Sequence, residues 1–150
     1  MQQQQQQTPK LLKVAEIVGR PQQPMSLSML AKPLSHLIKS YAYFDFLIDT
    51  GSDCTIFPVN YNNNNNEINP SHHKLTAANN TDIKTHGTLD LEFYLGNQPF
   101  SWNCIIADIP HPIFGIDFLK HHKLCIVMSN NKIFKGNQMM GTCTQRSHTC

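Results

Sequence analysis

The chain has few charges for its length: 12 basic and 10 acidic residues among 150, a net charge of +2, with no block of five like charges. That removes the electrostatic case for nucleic acid as a direct partner. Five cysteines stand at positions 54, 104, 125, 143 and 150 without CxxC spacing. An odd, unpatterned set indicates neither a disulfide framework nor a zinc site, and fits a reducing, intracellular setting. The N-terminus MQQQQQQTPK lacks the apolar core of a signal peptide, and no run approaches the ~18 apolar residues of a membrane span. A soluble protein with no membrane partner is expected. The length suits one domain, not two independent cores.

What is present is strand-like texture. Residues 1–35 combine a Gln run with Pro21, Pro24 and Pro33, and within them only LLKVAEIVGR (11–20) carries enough apolar character for a short element. They are read as a flexible leader. From residue 36 the texture changes. LIKSYAYFDFLID is rich in aromatic and branched residues, and CTIFPV (54–59) is a second short strand before the polar tract YNNNNNEINP, read as a surface loop. KLTAANNTDIKTHG (74–87) predicts a hairpin turning at Asn79-Asn80, because Asn tolerates the positive φ of tight turns. TLDLEFYL (88–95) alternates apolar and polar residues, then turns at Gly96-Asn97 into FSWNCIIADI (100–109). A short helix near Asp117 to His122, a strand Leu124 to Met128 and a turn with a possible strand over 129–134 follow. Residues 135–150 show no periodicity and are read as an irregular tail. Many short strands with one small helix predict an all-β domain over 36–134.

The chemistry concentrates in FDFLIDTGSD (44–53). A carboxylate at the end of an apolar strand needs a use, because burying an unpaired charge is costly. Gly51 after it permits a tight turn and a close approach of backbone to a ligand, and the Thr50 and Ser52 hydroxyls can tie the loop into one shape. Such a loop is half of a two-carboxylate machine. One aspartate, ionised, takes a proton from water; the other, protonated, polarises a carbonyl. Like-charge repulsion splits the two pKa values in aspartic dyads generally. The chain holds a single Asp-Thr-Gly, so the second aspartate must come from another copy, placed by a two-fold axis.

Four stretches, FLIDTGSDCTIFP, LTAANNTDIKTHG, FSWNCIIADIPHPIFGIDFL and KHHKLCIV, follow one another in an order that resembles the retroviral-type aspartic proteases, more closely those of Gypsy-type LTR retrotransposons. The resemblance covers about Leu37 to Phe134. It implies a retropepsin-like closed β-barrel with a flap hairpin and one short helix, acting as a homodimer. It implies that Asp49 is catalytic, that Thr50 and Gly51 complete the active-site loop, and that Ser52 and Asp53 line the peptide groove. Ala78, Asn79 and Asn80 would form the flap tip that closes over substrate. Ile113 and Phe114, the latter where the family usually has Leu, would form the second loop beside the first. The implied substrate is an extended peptide of the element's own Gag-Pol polyprotein, pairing as an added strand. No metal or other cofactor is implied. The implied setting is the cytoplasm or a virus-like particle. A catalytically inactive domain of the same fold, serving in dimerisation or peptide binding, is the alternative.

Other residues have plainer readings. Asp117 is expected at a helix N-terminus, where it favours the dipole. His72-His73 and His121-His122 lack metal-ligand spacing and are expected in solvent. Trp102 is expected in the core or the groove wall, and Cys54 as a small buried residue.

Overall fold

The computed structural model describes residues 11–14, 25–33, 42–61 and 68–145. The Gln run, the asparagine tract 62–66 and the last five residues lie outside them, as does most of LLKVAEIVGR beyond its first four positions.

The alternating stretches are strands. In order they are β1 (Leu11–Val14), β2 (Met25–Pro33), β3 (Ala42–Ile48), β4 (Ile56–Pro58), β5 (Lys74–Ala77), β6 (Asp82–Ile83), β7 (Thr85–Leu95), β8 (Gln98–Ala107), β9 (Ile113–Phe114), β10 (Leu124–Val127), β11 (Lys132–Lys135), β12 (Gln138–Thr142) and β13 (Thr144–Gln145), with one short helix, α1 (Ile116–His121), between β9 and β10. The main sheet has the order β13-β2-β3-β9-β4-β8-β7, and a further pairing of β2 with β7 closes the circuit β2-β3-β9-β4-β8-β7 on itself. Closure leaves no free edge within that circuit. This is the mostly-β architecture with one short helix that was expected.

The interior is filled by one face of each long strand. Phe46, Leu89, Leu91, Phe93, Leu95, Phe100, Cys104 and Ile106 are all buried, while Tyr43, Asp45 and Asp90 on the opposite faces are exposed. The aromatic rings interlock: Phe46 meets Phe93 edge to face at 5.3 Å and stacks on Phe114 at 4.4 Å, and Phe114 stacks on Phe118 of α1 at 4.7 Å. The enlargement from Leu to Phe at 114 is thus absorbed by partners that stack with it. Alone a six-residue helix is unstable. Here Phe118 and Leu119 hold α1 to the barrel core.

A second, smaller apolar cluster lies on the other face of the same central strands. It joins Cys54, Ile56, Ile105, Ala107, Ile109 and Ile113 to Leu75 of β5, with Leu47 and Ile83 packed against it. Ile105 and Ile106, Ile56 and Phe57, and Ile113 and Phe114 therefore point successively into different clusters. This is why these short stretches read as continuous apolar runs instead of alternating.

Two parts of the chain differ from expectation. The leader was expected to run to residue 35, yet β2 is a barrel strand, paired with β3 over Met25 to Ala31 and with β7 over Leu30 to Pro33. Its Leu27, Met29 and Ala31 are buried. The tail was expected to be irregular, yet Gln138–Thr142 pairs with β11 to extend the β10-β11 hairpin, and Thr144–Gln145 pairs with β2. Gly136, with φ of +61°, makes the turn that returns β12 onto β11.

Candidate active site

Asp49 follows β3 directly. The register that pairs Leu47 with Ile113 and Ile48 with Phe114 continues as a bond from the Asp49 amide to the Phe114 carbonyl at 3.0 Å. The carboxylate is 7 % exposed, so it is withdrawn from bulk water although it sits in a turn. The chain then folds back on it. The Gly51 amide donates to Asp49 Oδ1 at 3.0 Å, and the Ser52 amide donates to the Asp49 carbonyl at 3.0 Å. The first of these bonds orients the carboxylate.

The loop is fastened from beneath by residues that face away from the site. Ser52 is fully buried, and its hydroxyl donates to the Cys54 carbonyl at 2.8 Å while its own carbonyl accepts from the Ile116 amide at 2.8 Å. Thr55 is 1 % exposed. Its hydroxyl accepts from the Gly115 amide at 3.1 Å and donates to Asp117 Oδ1 at 2.8 Å, and its amide donates to Asp117 Oδ2 at 3.1 Å. The Trp102 indole adds a donor to Asp117 Oδ2 at 3.3 Å, and the Phe118 amide one to Oδ1 at 2.7 Å. One carboxylate thus joins the active-site loop, β8 and the start of α1. Gly115 is required by the closeness of the two loops: a Cβ there would lie 2.2 Å from the Cys54 carbonyl oxygen.

The residues singled out in the sequence therefore separate into groups. Asp49, Thr50, Gly51 and Asp53 lie in one turn, with Thr50, Gly51 and Asp53 exposed. Ser52 is buried and holds the loop, so its side chain is not placed to touch a peptide. Phe114 likewise points into the barrel core, and only Ile113 belongs to the cluster on the flap side. The flap is the hairpin of β5 and β6, with Leu75 paired to Ile83. Ala78, Asn79 and Asn80 are exposed at its tip. Asn80 takes φ of +64°, as its side chain permits, and Asn79 Oδ1 accepts from the Thr81 amide and hydroxyl at 3.1 and 2.6 Å.

Thr55, Trp102 and Asp117 were not foreseen as partners. Asp117 does stand in the first helical turn, as expected, but its longer-range role depends on contacts 62 residues away in sequence. The pair His121-His122 also divides. His121 is exposed, whereas His122 is half-buried, with its ring 4.6 Å from Phe118 and 4.8 Å from Phe100. Burial, and behind it the charges of His121 and Lys135, lowers the His122 pKa. Among the described residues no group of His, Cys, Asp and Glu could hold a metal ion, and no helix is long and apolar enough to cross a membrane.

Comparison with known proteins agrees with this geometry. The profile of the family described as retroviral aspartyl protease matches residues 29–127. The fold is similar to that of EIAV protease complexed with the inhibitor HBY-793, with a TM-score of 0.54 and 15 % identity over 75 % of this chain and 100 % of that one. It is also similar to the retroviral protease-like domain of Ddi1 from Leishmania major, with a TM-score of 0.54 and 11 % identity over 81 % of this chain and 98 % of that one. No curated protein matches the sequence.

Proposed function

Because the chain belongs to the retroviral aspartyl protease family, we propose that it is an aspartic endopeptidase whose active unit is a homodimer, with Asp49 of each copy facing the other across a two-fold axis. The observation that carries this reading is the setting of Asp49: a carboxylate 7 % exposed, oriented by the Gly51 amide, in a loop whose exposed rim is Thr50, Gly51 and Asp53. One chain supplies one such carboxylate, and peptide hydrolysis by this route uses two. In the paired site one aspartate is ionised and takes a proton from water as the water attacks the scissile carbonyl. The other, protonated, donates to the carbonyl oxygen.

The peptide lies extended between the floor and the flap, touched by the main chain at Gly51 and Asp53 and by the tip residues Ala78 to Asn80. Leu47 and Ile83, partly exposed where they pack on the apolar cluster that contains Ile113, offer apolar surface for its side chains. The likeness of the four motif stretches to LTR retrotransposon proteases supports a Gag-Pol polyprotein as substrate, in the cytoplasm or in virus-like particles. The reaction draws on no metal.

The test is cleavage of a mixed peptide library at mildly acidic pH, about 5 to 6. The unmodified chain and Asp49→Asn are compared with and without pepstatin. Cleavage that pepstatin blocks and the variant lacks supports the reading. A folded chain that cleaves nothing at any concentration leaves the non-catalytic peptide-binding module in its place.

A further inference from the structure

The flap has a second partner besides its own return strand. β5 lies between β6 and β1 in a separate sheet of order β1-β5-β6. β1 runs parallel to β5, pairing Leu11 with Lys74, Leu12 with Leu75, Lys13 with Thr76 and Val14 with Ala77. The two edges of β5 can be told apart from its hydrogen bonds. The Ala77 amide donates to the Thr81 carbonyl at 2.8 Å and the Ala77 carbonyl accepts from the Asn80 amide at 2.9 Å, so Ala77 faces the hairpin. Main-chain groups alternate along a strand, so Leu75 also faces the hairpin and Lys74 and Thr76 present theirs to the other edge. That edge is where β1 sits.

An edge with outward N–H and C=O groups accepts any extended peptide, because main-chain pairing carries no sequence requirement. We infer that the outer edge of the flap strand β5, at Lys74 and Thr76, is a peptide-docking edge, and that the leader strand Leu11–Val14 occupies it as an intramolecular competitor of peptide substrate. The competition rests on the proposed proteolytic function; the docking does not. Two features make β1 exchangeable. It contributes four residues to a parallel pairing, the less stable kind. Its pairing also closes a long stretch of chain instead of a tight turn, at an entropic cost. Tethering offsets that cost by an effective concentration of order mM. A leader docked about nine-tenths of the time lowers the apparent affinity for a competing peptide about ten-fold.

The test uses the full chain and the double variant Leu12→Pro with Lys13→Pro. Neighbouring amides of a strand point to opposite sides, so one of the two prolines removes a donor aimed at β5. Backbone hydrogen exchange is read at Thr76 and Ala77, and binding of a fluorescein-labelled peptide TPKLLKVAEI is measured in trans. The expected result is a Thr76 amide that is protected in the unmodified chain and exchanges fast in the variant. Ala77, which bonds within the hairpin, stays protected in both and reports that the flap is folded. The labelled peptide binds the variant about ten-fold more tightly, and KM for a cleaved peptide falls by a similar factor with kcat unchanged. Equal Thr76 exchange and equal peptide affinity in the two proteins would overturn the inference. Should the prolines disturb folding, the quadruple change Leu11→Gly, Leu12→Ser, Lys13→Gly and Val14→Ser is read in the same way. Exchange and binding that differ without cleavage by either protein would overturn the proteolytic reading alone; cleavage with no difference in either would overturn the docking alone.

Discussion

The floor of the site and its flap are fastened in opposite ways. The active-site loop and the stretch from Gly115 to Phe118 are joined through buried Ser52 and Thr55 and half-buried Asp117, each bonded to main chain of the other segment. The flap turns instead through exposed residues, its tip held by local bonds to Asn79. The charge pair across its stem, Lys74 to Asp82 at 3.8 Å, is exposed as well. A carboxylate dyad must be held to fractions of an ångström, whereas a lid must open to admit a chain. The same short length of strand thus serves either purpose, depending on whether its polar groups are tied inside or left in water.

Substitutions in the two regions should separate accordingly. Gly115→Ala strikes the floor hardest, because its Cβ would fall 2.2 Å from a backbone oxygen that no side-chain movement relieves. A loss of roughly 3 kcal/mol or more is expected in urea denaturation, at the upper end of what overpacking costs. Asp117→Ala removes the acceptor shared by Thr55, Trp102 and Phe118. Roughly 2 kcal/mol is expected for the donors left behind, since the site is only partly screened from water. The chain's single tryptophan gives a direct readout, a shift in fluorescence as the indole loses its partner.

A pH effect comes next. His122 has a lowered pKa in the folded chain, so the unfolded chain binds that proton better. Its contribution to stability is therefore complete above about pH 6.5, the unfolded value, and is lost as pH falls through that value toward the folded pKa. The urea midpoint should fall between about pH 7.5 and about pH 5.5, and His122→Phe should flatten that part of the slope. The smallest effect belongs to the flap. Asp82→Asn, which breaks the exposed pair with Lys74, should change global stability by less than about 0.5 kcal/mol. A large effect there would erase the contrast between the tied floor and the loose flap.

The parts of the fold that were legible in the sequence are those whose signals are local. The strand before Asp49, the glycine after it, the Asn79-Asn80 turn and the alternation of Leu89, Leu91, Phe93 and Leu95 each announce themselves within a few residues. β2 was hidden although Leu27, Met29 and Ala31 alternate with Ser26, Ser28 and Lys32, because Pro21, Pro24 and Pro33 and the preceding Gln run mark the stretch as a leader. β12 was hidden because Met139 is exposed and Met140 buried, so composition gave no hint of which face was which. The Asp117 network was illegible for another reason. Its partners come from three segments, and only the closed sheet brings them to one carboxylate. The aspartate before a buried Phe118 was a visible signal for a helix start, but nothing local could connect it to Thr55.

Whether catalysis needs Asp49 from two copies is tested most directly by mixing. The unmodified chain and Asp49→Asn are combined in equal amounts, equilibrated well above the dimer dissociation constant, and assayed on a peptide that the unmodified chain cleaves. Random pairing leaves about a quarter of the dimers with both aspartates. A two-copy site gives about a quarter of the activity of the same total amount of unmodified chain; half, the value for subunits that act alone, would contradict a shared site.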